Sequence, residues 1–238
     1  MKIIAHRGAS GRAPENTLSA FGLAVKMGAR AFEFDVHRTA DGELVVHHDY
    51  LVPAPGGRPE KIAALDYSEL RKRNVGNKFG FPLERVPLLE EVVNTISPGA
   101  DWINFEIKND GNQYPGIEKD LLEFVRERAG LAKKSLFSSF DYGTLKRLRA
   151  LDKGLALGYL GRGLNSATLL PAMLRARRIG AVNFHLGLRS ASRFNVAMLL
   201  RAGFKVCVYT VNEKADALRL ERLGVDGIFS DFPDILTR

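Results

Sequence analysis

Short runs of apolar residues alternate with amphipathic segments along almost the whole chain. In the segment over residues 17–27, Leu18, Phe21 and Val25 recur at helical spacing, and Gly28 is a suitable residue to end that helix. The short apolar runs are rich in residues that favour strands, so we predict a strand in each. The eight predicted strands cover residues 2–6, 31–37, 102–107, 135–138, 155–160, 181–184, 205–209 and 225–229.

Predicted helices separate these strands, which is the pattern of parallel strands joined by right-handed crossovers. The helices are predicted over residues 17–27, 66–73, 88–95, 115–128, 141–150, 166–177, 192–202 and 213–223. Eight strand–helix units in 238 residues predict an α/β fold, a (β/α)8 TIM barrel, with a single domain over residues 1–238. A doubly wound open sheet is the alternative, but no glycine-rich nucleotide motif supports it.

The alternation is interrupted after the second strand. Asp41-Gly42 predicts a tight turn into a short strand over residues 43–47, so we expect a hairpin extension. Residues 49–99 are less regular. Prolines and glycines within residues 53–59, among them Pro55 and Gly56, predict a loop there.

The composition is that of an ordinary globular protein, with 45% hydrophobic and 26% charged residues. The single cysteine, Cys207, excludes a disulfide within the chain, and its apolar neighbours predict a buried strand residue rather than a catalytic thiol. The apolar run before Arg7 is too short for a signal peptide, and no run is long enough to span a membrane. We therefore expect a cytoplasmic protein without stable membrane insertion.

The net charge of +8 favours anionic partners, such as a phosphorylated small molecule, a lipid surface or a nucleic acid. The basic residues are scattered along predicted helices, as in Arg71-Lys72-Arg73, which is typical of a solvated face. The chain has neither zinc-finger spacing nor an aromatic RNA-binding motif, so nucleic acid is not an expected partner.

Acidic residues alternate with aromatic ones on two predicted strands. Glu33 and Asp35 point to the opposite side from Phe32 and Phe34, and Glu106 repeats this pattern on the next barrel strand. If the phenylalanines pack under the helices, three carboxylates face the barrel mouth, where they repel one another unless a cation binds. Ligands made only of oxygen suit Mg²⁺ or Ca²⁺. The alternative is a structural network with lysines and arginines.

Two histidines, His6 and His48, follow the ends of predicted strands near this acidic group. Histidines are often structural, but two imidazoles can also supply the base and the acid of one hydrolysis. Arg7 offers a planar fork that fits phosphate oxygens, and Lys108 offers a point charge. His47 should point away from the site, because it alternates with His48.

Taken together, these motifs resemble the glycerophosphodiester phosphodiesterase family over almost the whole chain. The matching motifs are His6-Arg7-Gly8, Pro14-Glu15-Asn16-Thr17, Glu33-x-Asp35, Thr39-x-Asp41-Gly42, His48-Asp49, Glu106-Ile107-Lys108, Ser139-Phe140, Thr210-Val211-Asn212, Gly224-Val225-Asp226-Gly227-Ile228 and Ser230-Asp231-Phe232-Pro233.

The resemblance implies roles for several of these residues. It implies a divalent metal, Mg²⁺ or Ca²⁺, on Glu33, Asp35 and Glu106. The implied acid–base pair is His6 and His48, and the implied phosphate ligands are Arg7 and Lys108. Glu15 and Asn16 are expected to brace His6 and Arg7 and to line the site. Tyr209 stands where many relatives carry tryptophan, so it is expected in the wall of the substrate pocket.

The implied activity is hydrolysis of a glycerophosphodiester, such as glycerophosphocholine, to sn-glycerol 3-phosphate and an alcohol. Two alternatives stay open at this point. One is a lysophospholipase D-type phosphodiesterase that acts on lipids, which needs an apolar groove for an acyl chain. The other is a barrel without enzymatic activity that binds phosphate or nucleic acid through its basic surface. The sequence does not indicate an oligomeric state.

Overall fold

Eight parallel strands close into a barrel in the structure, a computed structural model that describes residues 1–54, 57–76, 80–81 and 83–237. The strands in chain order are β1 (Lys2–His6), β2 (Ala31–Arg38), β3 (Leu44–Val46), β4 (Leu51–Val52), β5 (Glu60–Lys61), β6 (Trp102–Ile107), β7 (Ser135–Ser139), β8 (Leu157–Gly161), β9 (Asn183–Gly187), β10 (Lys205–Tyr209) and β11 (Gly227–Ser230). The barrel order is β1-β2-β6-β7-β8-β9-β10-β11, and β11 pairs with β1 to close it. The predicted (β/α)8 TIM barrel is therefore confirmed.

Helices connect the barrel strands on the outside. They are α1 (Leu18–Lys26), α2 (Tyr67–Leu70), α3 (Leu89–Ile96), α4 (Ile117–Arg126), α5 (Leu131–Lys134), α6 (Tyr142–Leu151), α7 (Ser166–Arg178), α8 (Arg193–Arg201) and α9 (Lys214–Arg222). Several begin at a side chain that accepts a backbone N–H, which is how polar residues start helices. Thr17, Asp141 and Ser192 do this for α1, α6 and α8.

The phenylalanines of β2 and β6 pack against the helical layer, and this orientation turns the intervening residues into the barrel. Phe34 lies edge-on to Phe21 of α1 at 5.8 Å and to Phe105 at 5.1 Å, measured between ring centroids. All three rings are fully buried. Because side chains alternate along a strand, Glu33 and Asp35 point inward, as predicted.

The extension after β2 is built from two small pieces. Strand β3 pairs antiparallel with the end of β2, in the register Val36↔Val46, and β4 pairs with β5. The hairpin after Asp41-Gly42 is thus confirmed. The predicted loop residues Pro55 and Gly56 lie outside the described residues.

Some element boundaries differ from the prediction. Strands β8 and β9 both begin two residues later than predicted. Before β9, Val182 belongs to the connection, and its N–H bonds to the Leu157 carbonyl. The helix predicted over residues 66–73 is the single turn α2. Cys207 is buried in β10, where burial raises the pKa of its thiol to about 12, as expected of a packing residue.

Within the described residues, no helix combines the length and the apolar character that crossing a bilayer requires.

Candidate active site

Three carboxylates meet inside the barrel near the carboxyl ends of its strands. One oxygen from each of Glu33, Asp35 and Glu106 lies within 4.8 Å of the others. Strand register explains this meeting, because Asp35 of β2 lies directly opposite Glu106 of β6. The predicted cluster therefore forms.

Two oxygens of this cluster have no hydrogen-bond partner among the described residues. Glu33 Oε1 and Asp35 Oδ1 are both buried without a hydrogen bond, although Lys108 Nζ lies 3.6 Å from Asp35 Oδ1. Unpaired buried carboxylate oxygens are unfavourable, and a cation bound between them removes that penalty. The three carboxylates therefore fit a small divalent cation that prefers oxygen ligands.

Crowding and burial perturb the acidity of these groups. Burial, together with the charges of Asp35 and Glu106, raises the pKa of Glu33 well above its usual range. Burial and the charge of Asp35 raise the pKa of Glu106 to about 7. Burial also acts to raise the pKa of Asp35, but Arg7 and Lys108 outweigh it, and the pKa is lowered. The cluster thus carries both repulsion and compensating positive charge.

Two cations flank the cluster. Arg7 Nε lies 3.1 Å from Asp35 Oδ2, and Lys108 Nζ lies 3.2 Å from Glu106 Oε1 and 3.6 Å from Asp35 Oδ1. Burial opposes their charge, yet the neighbouring carboxylates raise the pKa of both side chains. Both groups are therefore cationic at neutral pH, which an anionic ligand requires.

The loop after β1 holds Arg7 in place through local contacts. Arg7 has a left-handed backbone, with φ of 56°, and its N–H bonds to the Glu33 carbonyl at 3.0 Å. Glu15 accepts from Arg7 Nη1 at 3.2 Å, and Asn16 Nδ2 donates to Asp35 Oδ2 at 2.9 Å. Glu15 and Asn16 thus brace Arg7 and Asp35, and neither belongs to the cavity wall.

His6 is oriented by a carboxylate from the far end of the chain. Its Nδ1 lies 2.7 Å from Asp231 Oδ1, and its Nε2 lies 3.9 Å from Glu33 Oε2. Ser10 Oγ and Asn212 Nδ2 also donate to Asp231, at 2.9 and 2.6 Å. Burial acts to raise the pKa of Asp231, but the bonds from His6, Asn212 and Ser10 outweigh it and lower the pKa to about 2. An ionised Asp231 directs Nε2 of His6 toward the acidic cluster.

His48 reaches the same cavity from the extension rather than from a barrel strand. It is partly exposed, and its Nδ1 lies 2.8 Å from Asp49 Oδ1. Burial lowers the pKa of His48, against the opposing effect of Asp35. His47 does not belong to the cavity wall, and its backbone N–H bonds to the Asp35 carbonyl at 3.0 Å. The predicted difference in orientation between His47 and His48 is therefore seen.

A third histidine supports the His48 loop. His37 is fully buried, its Nδ1 lies 2.7 Å from the Tyr114 hydroxyl, and its Nε2 lies 3.4 Å from the His48 carbonyl. Burial lowers the pKa of His37 to about 3, so the ring is neutral. Its ring also lies edge-on to Tyr50. His37 therefore links the hairpin extension to the barrel.

These groups open into a cavity of about 190 Å³ at the mouth of the barrel. Its wall is formed by His6, Arg7, Glu33, His48, Asn104, Glu106, Phe140, Leu160, Arg162, His185, Tyr209, Thr210 and Phe229. Asp35 and Lys108 lie outside this wall and act through their contacts with Arg7 and Glu106.

One side of the cavity is aromatic and carries a cation. Arg162 lies over the ring of Phe140, with 4.5 Å between its guanidinium carbon and the ring centroid. Phe140 lies edge-on to Tyr209, whose hydroxyl donates to the Gly161 carbonyl at 2.8 Å. Tyr209 thus lies in the cavity wall.

Sequence reasoning did not assign a position to several of these residues. Asp231 falls in a matching motif but received no function, although it follows the last strand as His6 follows the first. His37 and His185 lie within apolar strands. Because side chains alternate along a strand, their sequence positions relative to their neighbours indicate whether each ring faces into the barrel or toward the helices. Arg162 follows β8 at the barrel mouth, a position that signals a site residue.

Comparisons with known proteins agree with this geometry. The model of the glycerophosphoryl diester phosphodiesterase family matches residues 6–235. A glycerophosphodiester phosphodiesterase from Caldanaerobacter subterraneus is 34% identical, over 98% of this chain and 95% of that protein. One from Bacillus altitudinis is also 34% identical, over 98% of this chain and 95% of its own length.

Solved structures are similar over the same extent. A phosphodiesterase from Oleispira antarctica, in complex with the product sn-glycerol-3-phosphate, superposes with a TM-score of 0.87 at 31% identity, and the match covers 98% of this chain and 94% of that one. A glycerophosphodiester phosphodiesterase from Thermotoga maritima gives a TM-score of 0.78 at 28% identity, with 98% and 95% covered.

Proposed function

The chain belongs to the glycerophosphoryl diester phosphodiesterase family, and from this premise we propose that it hydrolyses glycerophosphodiesters to sn-glycerol 3-phosphate and an alcohol. The observation that carries the proposal is the meeting of the carboxylates of Glu33, Asp35 and Glu106 beside a cavity that His6 and His48 also line. Metal-binding carboxylates and two imidazoles are the groups that hydrolysis of a phosphodiester needs.

In this proposal the three carboxylates would hold a divalent cation, Mg²⁺ or Ca²⁺. A cation bound there would supply polarisation of a phosphoryl oxygen and positive charge for the transition state. Arg7 binds the phosphate oxygens through its planar fork. Lys108 supports the site through its contacts with Asp35 and Glu106.

Two histidines move the protons. His6 takes a proton from the nucleophile through Nε2, since Asp231 holds Nδ1. His48, which lines the same cavity, protonates the departing alkoxide, and its lowered pKa makes the charged ring a stronger acid. The nucleophile is water or the glycerol 2-hydroxyl, and a cyclic phosphate among the early products distinguishes the second from the first.

Several further properties belong to the same proposal. We propose one catalytic domain over residues 1–238, a cytoplasmic location and a small-molecule substrate. Tyr209 is proposed to line the substrate pocket, and Glu15 to act on the phosphate only through Arg7. Nucleic acid is not a proposed partner.

The proposal is tested by a coupled assay for released glycerol 3-phosphate, with glycerophosphocholine and its acylated counterpart, each with Mg²⁺, with Ca²⁺ and with chelator. We expect activity that needs a divalent cation, and a severe loss in Glu106→Ala that added cation does not restore. Full activity after exhaustive chelation contradicts the metal proposal. Activity on the acylated diester alone favours a lipid phosphodiesterase instead.

A further inference from the structure

A second and larger cavity adjoins the first at the barrel mouth. Its volume is about 620 Å³, and it shares Phe140, Leu160 and Arg162 with the cavity beside the acidic cluster. A phosphate bound near Arg7 in the first cavity would therefore have open space beside Arg162 in the second. This arrangement gives the departing alcohol a place to lie, and the inference rests on the proposed function.

The charge of the second cavity is positive. Among the described residues that line it, Arg162 and Arg175 are cationic and Asp110 is the one acidic residue, which leaves a net charge of +1. None of the ion pairs seen among residues 1–54, 57–76, 80–81 and 83–237 involves Arg162 or Arg175, so their charges are available to a ligand.

Helix α7 has two backbone donors of its first turn already satisfied. Asn165 Oδ1 accepts from the backbone N–H groups of Ala167 and Thr168, at 3.0 and 3.1 Å, so those donors are satisfied. Attraction for an anion therefore comes mainly from the guanidinium groups of Arg162 and Arg175, and replacing one of these side chains should weaken it.

The aromatic wall does not favour a cationic alcohol. A quaternary ammonium group binds best over the face of an aromatic ring. In the second cavity the face of the Phe140 ring carries the Arg162 guanidinium, 4.5 Å from the ring centroid. A choline or ethanolamine group thus meets a positive charge at this ring.

We infer that the second cavity is the subsite for the departing alcohol and that Arg162 selects alcohols with a second anionic group over cationic ones. The substrate class is a glycerophosphodiester whose alcohol itself carries a phosphodiester or a carboxylate. Arg175, which lies on α7, adds positive charge to the cavity and strengthens this selection, whereas the negative charge of Asp110 weakens it.

The experiment compares three diesters at low ionic strength: glycerophosphoethanolamine, glycerophosphoglycerol and bis(glycerophospho)glycerol. Their departing alcohols are cationic, neutral and anionic. For the wild type we expect kcat/KM for the anionic diester to exceed that for the cationic one by about tenfold, with the difference largely lost in 0.5 M salt, an ionic strength chosen at roughly three times the physiological value.

Four variants locate the effect. In Arg162→Gln the ratio of the two kcat/KM values should fall about fivefold, and Arg162→Lys should keep most of the ratio. Asp110→Asn should raise the ratio. Arg178→Gln, which removes the same charge from α7 outside both cavities, is the matched control and should keep the wild-type ratio.

The outcomes separate the inference from the function on which it rests. If the wild type hydrolyses none of the three diesters, the proposed function is wrong, and the inference is wrong with it. If it hydrolyses all three without a charge preference, or if Arg178→Gln changes the ratio as much as Arg162→Gln, only the inference is overturned. An unchanged ratio in Arg162→Gln also overturns it.

Discussion

His47 and His48 are neighbours in the chain with different positions in the structure. His48 lines the cavity, whereas His47 lies outside its wall. We expect His48→Ala to lower the turnover rate by about 10²–10⁴-fold, the usual contribution of an acid–base group. His47→Ala is the matched control and should stay close to the wild-type rate. Steady-state kinetics at saturating substrate measures both, and the assignment is wrong if the His47 variant is the inactive one.

Asp231 is a positioning residue for His6, because it holds Nδ1 at 2.7 Å. We expect Asp231→Asn to lower kcat by about tenfold to a hundredfold, with a smaller effect on KM, since the imidazole loses its fixed tautomer. Asp234→Asn, which affects an ion pair with Arg12 outside the cavity, is the control. An equal loss in both variants points to a structural effect on the final loop instead.

At the scale of residues, the sequence predicts which side chains face into the barrel better than it predicts which side chains contact one another. Strand alternation is a local property, so it places Glu33, Asp35 and Glu106 on inward faces correctly. The partner of His6 is Asp231, which lies 225 residues further along the chain, and no local pattern joins two such residues. The bond between His37 and Tyr114 depends in the same way on how the extension packs.

At the scale of elements, the β1–α1 connection has little space. Gly8 has a φ of +84°, and a Cβ built there lies 2.6 Å from the Ala20 carbonyl carbon. We expect Gly8→Ala to lower the free energy of unfolding by about 2–5 kcal/mol, from backbone strain and overpacking together. Activity should fall as well, because the shift reaches Arg7. Urea denaturation and the coupled assay measure the two effects.

Gly28 provides the matched control for this prediction. Its φ is +81°, but a Cβ there meets nothing within 4 Å. Gly28→Ala should therefore lower the free energy of unfolding only by the cost of a left-handed alanine backbone, about 1–2 kcal/mol, and should keep its activity. If the two alanine variants are equally stable, the close approach to Ala20 does not limit position 8.

The elements themselves were largely predictable because each is coded locally. The predicted bounds of β1, β6 and β10 match the structure. The short pieces α5, β4 and β5 were not predicted, since a segment of two to four residues carries too little periodicity to recognise. Strand β9 begins later than predicted. Ala181 and Val182 are apolar and therefore resemble strand residues, but their hydrogen bonds make them the connection between α7 and the sheet.

For the whole molecule, the buried acids make stability depend on pH when no metal is bound. The pKa of Glu106 is about 7 in the folded state, above its ordinary 4.5. Between these values the folded chain holds a proton that the unfolded chain has lost, so the free energy of unfolding falls as pH rises through this window. A shift of this size corresponds to roughly 3 kcal/mol.

The Glu106→Gln variant isolates this effect because it removes the titrating group. In chelator, we expect the stability of the wild type relative to Glu106→Gln to fall by about 2–3 kcal/mol between pH 5 and pH 8, measured by urea denaturation. Saturating divalent cation should cancel most of the fall in the wild type. Parallel pH curves for the two proteins in chelator contradict the assignment of a raised pKa to Glu106.

The contact between β1 and β11 has a consequence for biosynthesis. His6 is translated near the start of the chain and Asp231 near its end, and their bond forms only where those two strands pair. A nascent chain whose β11 has not yet left the ribosome has His6 without this partner. Full activity therefore depends on barrel closure, so we expect a chain that lacks β11 to hold the His6 imidazole without the carboxylate that orients it.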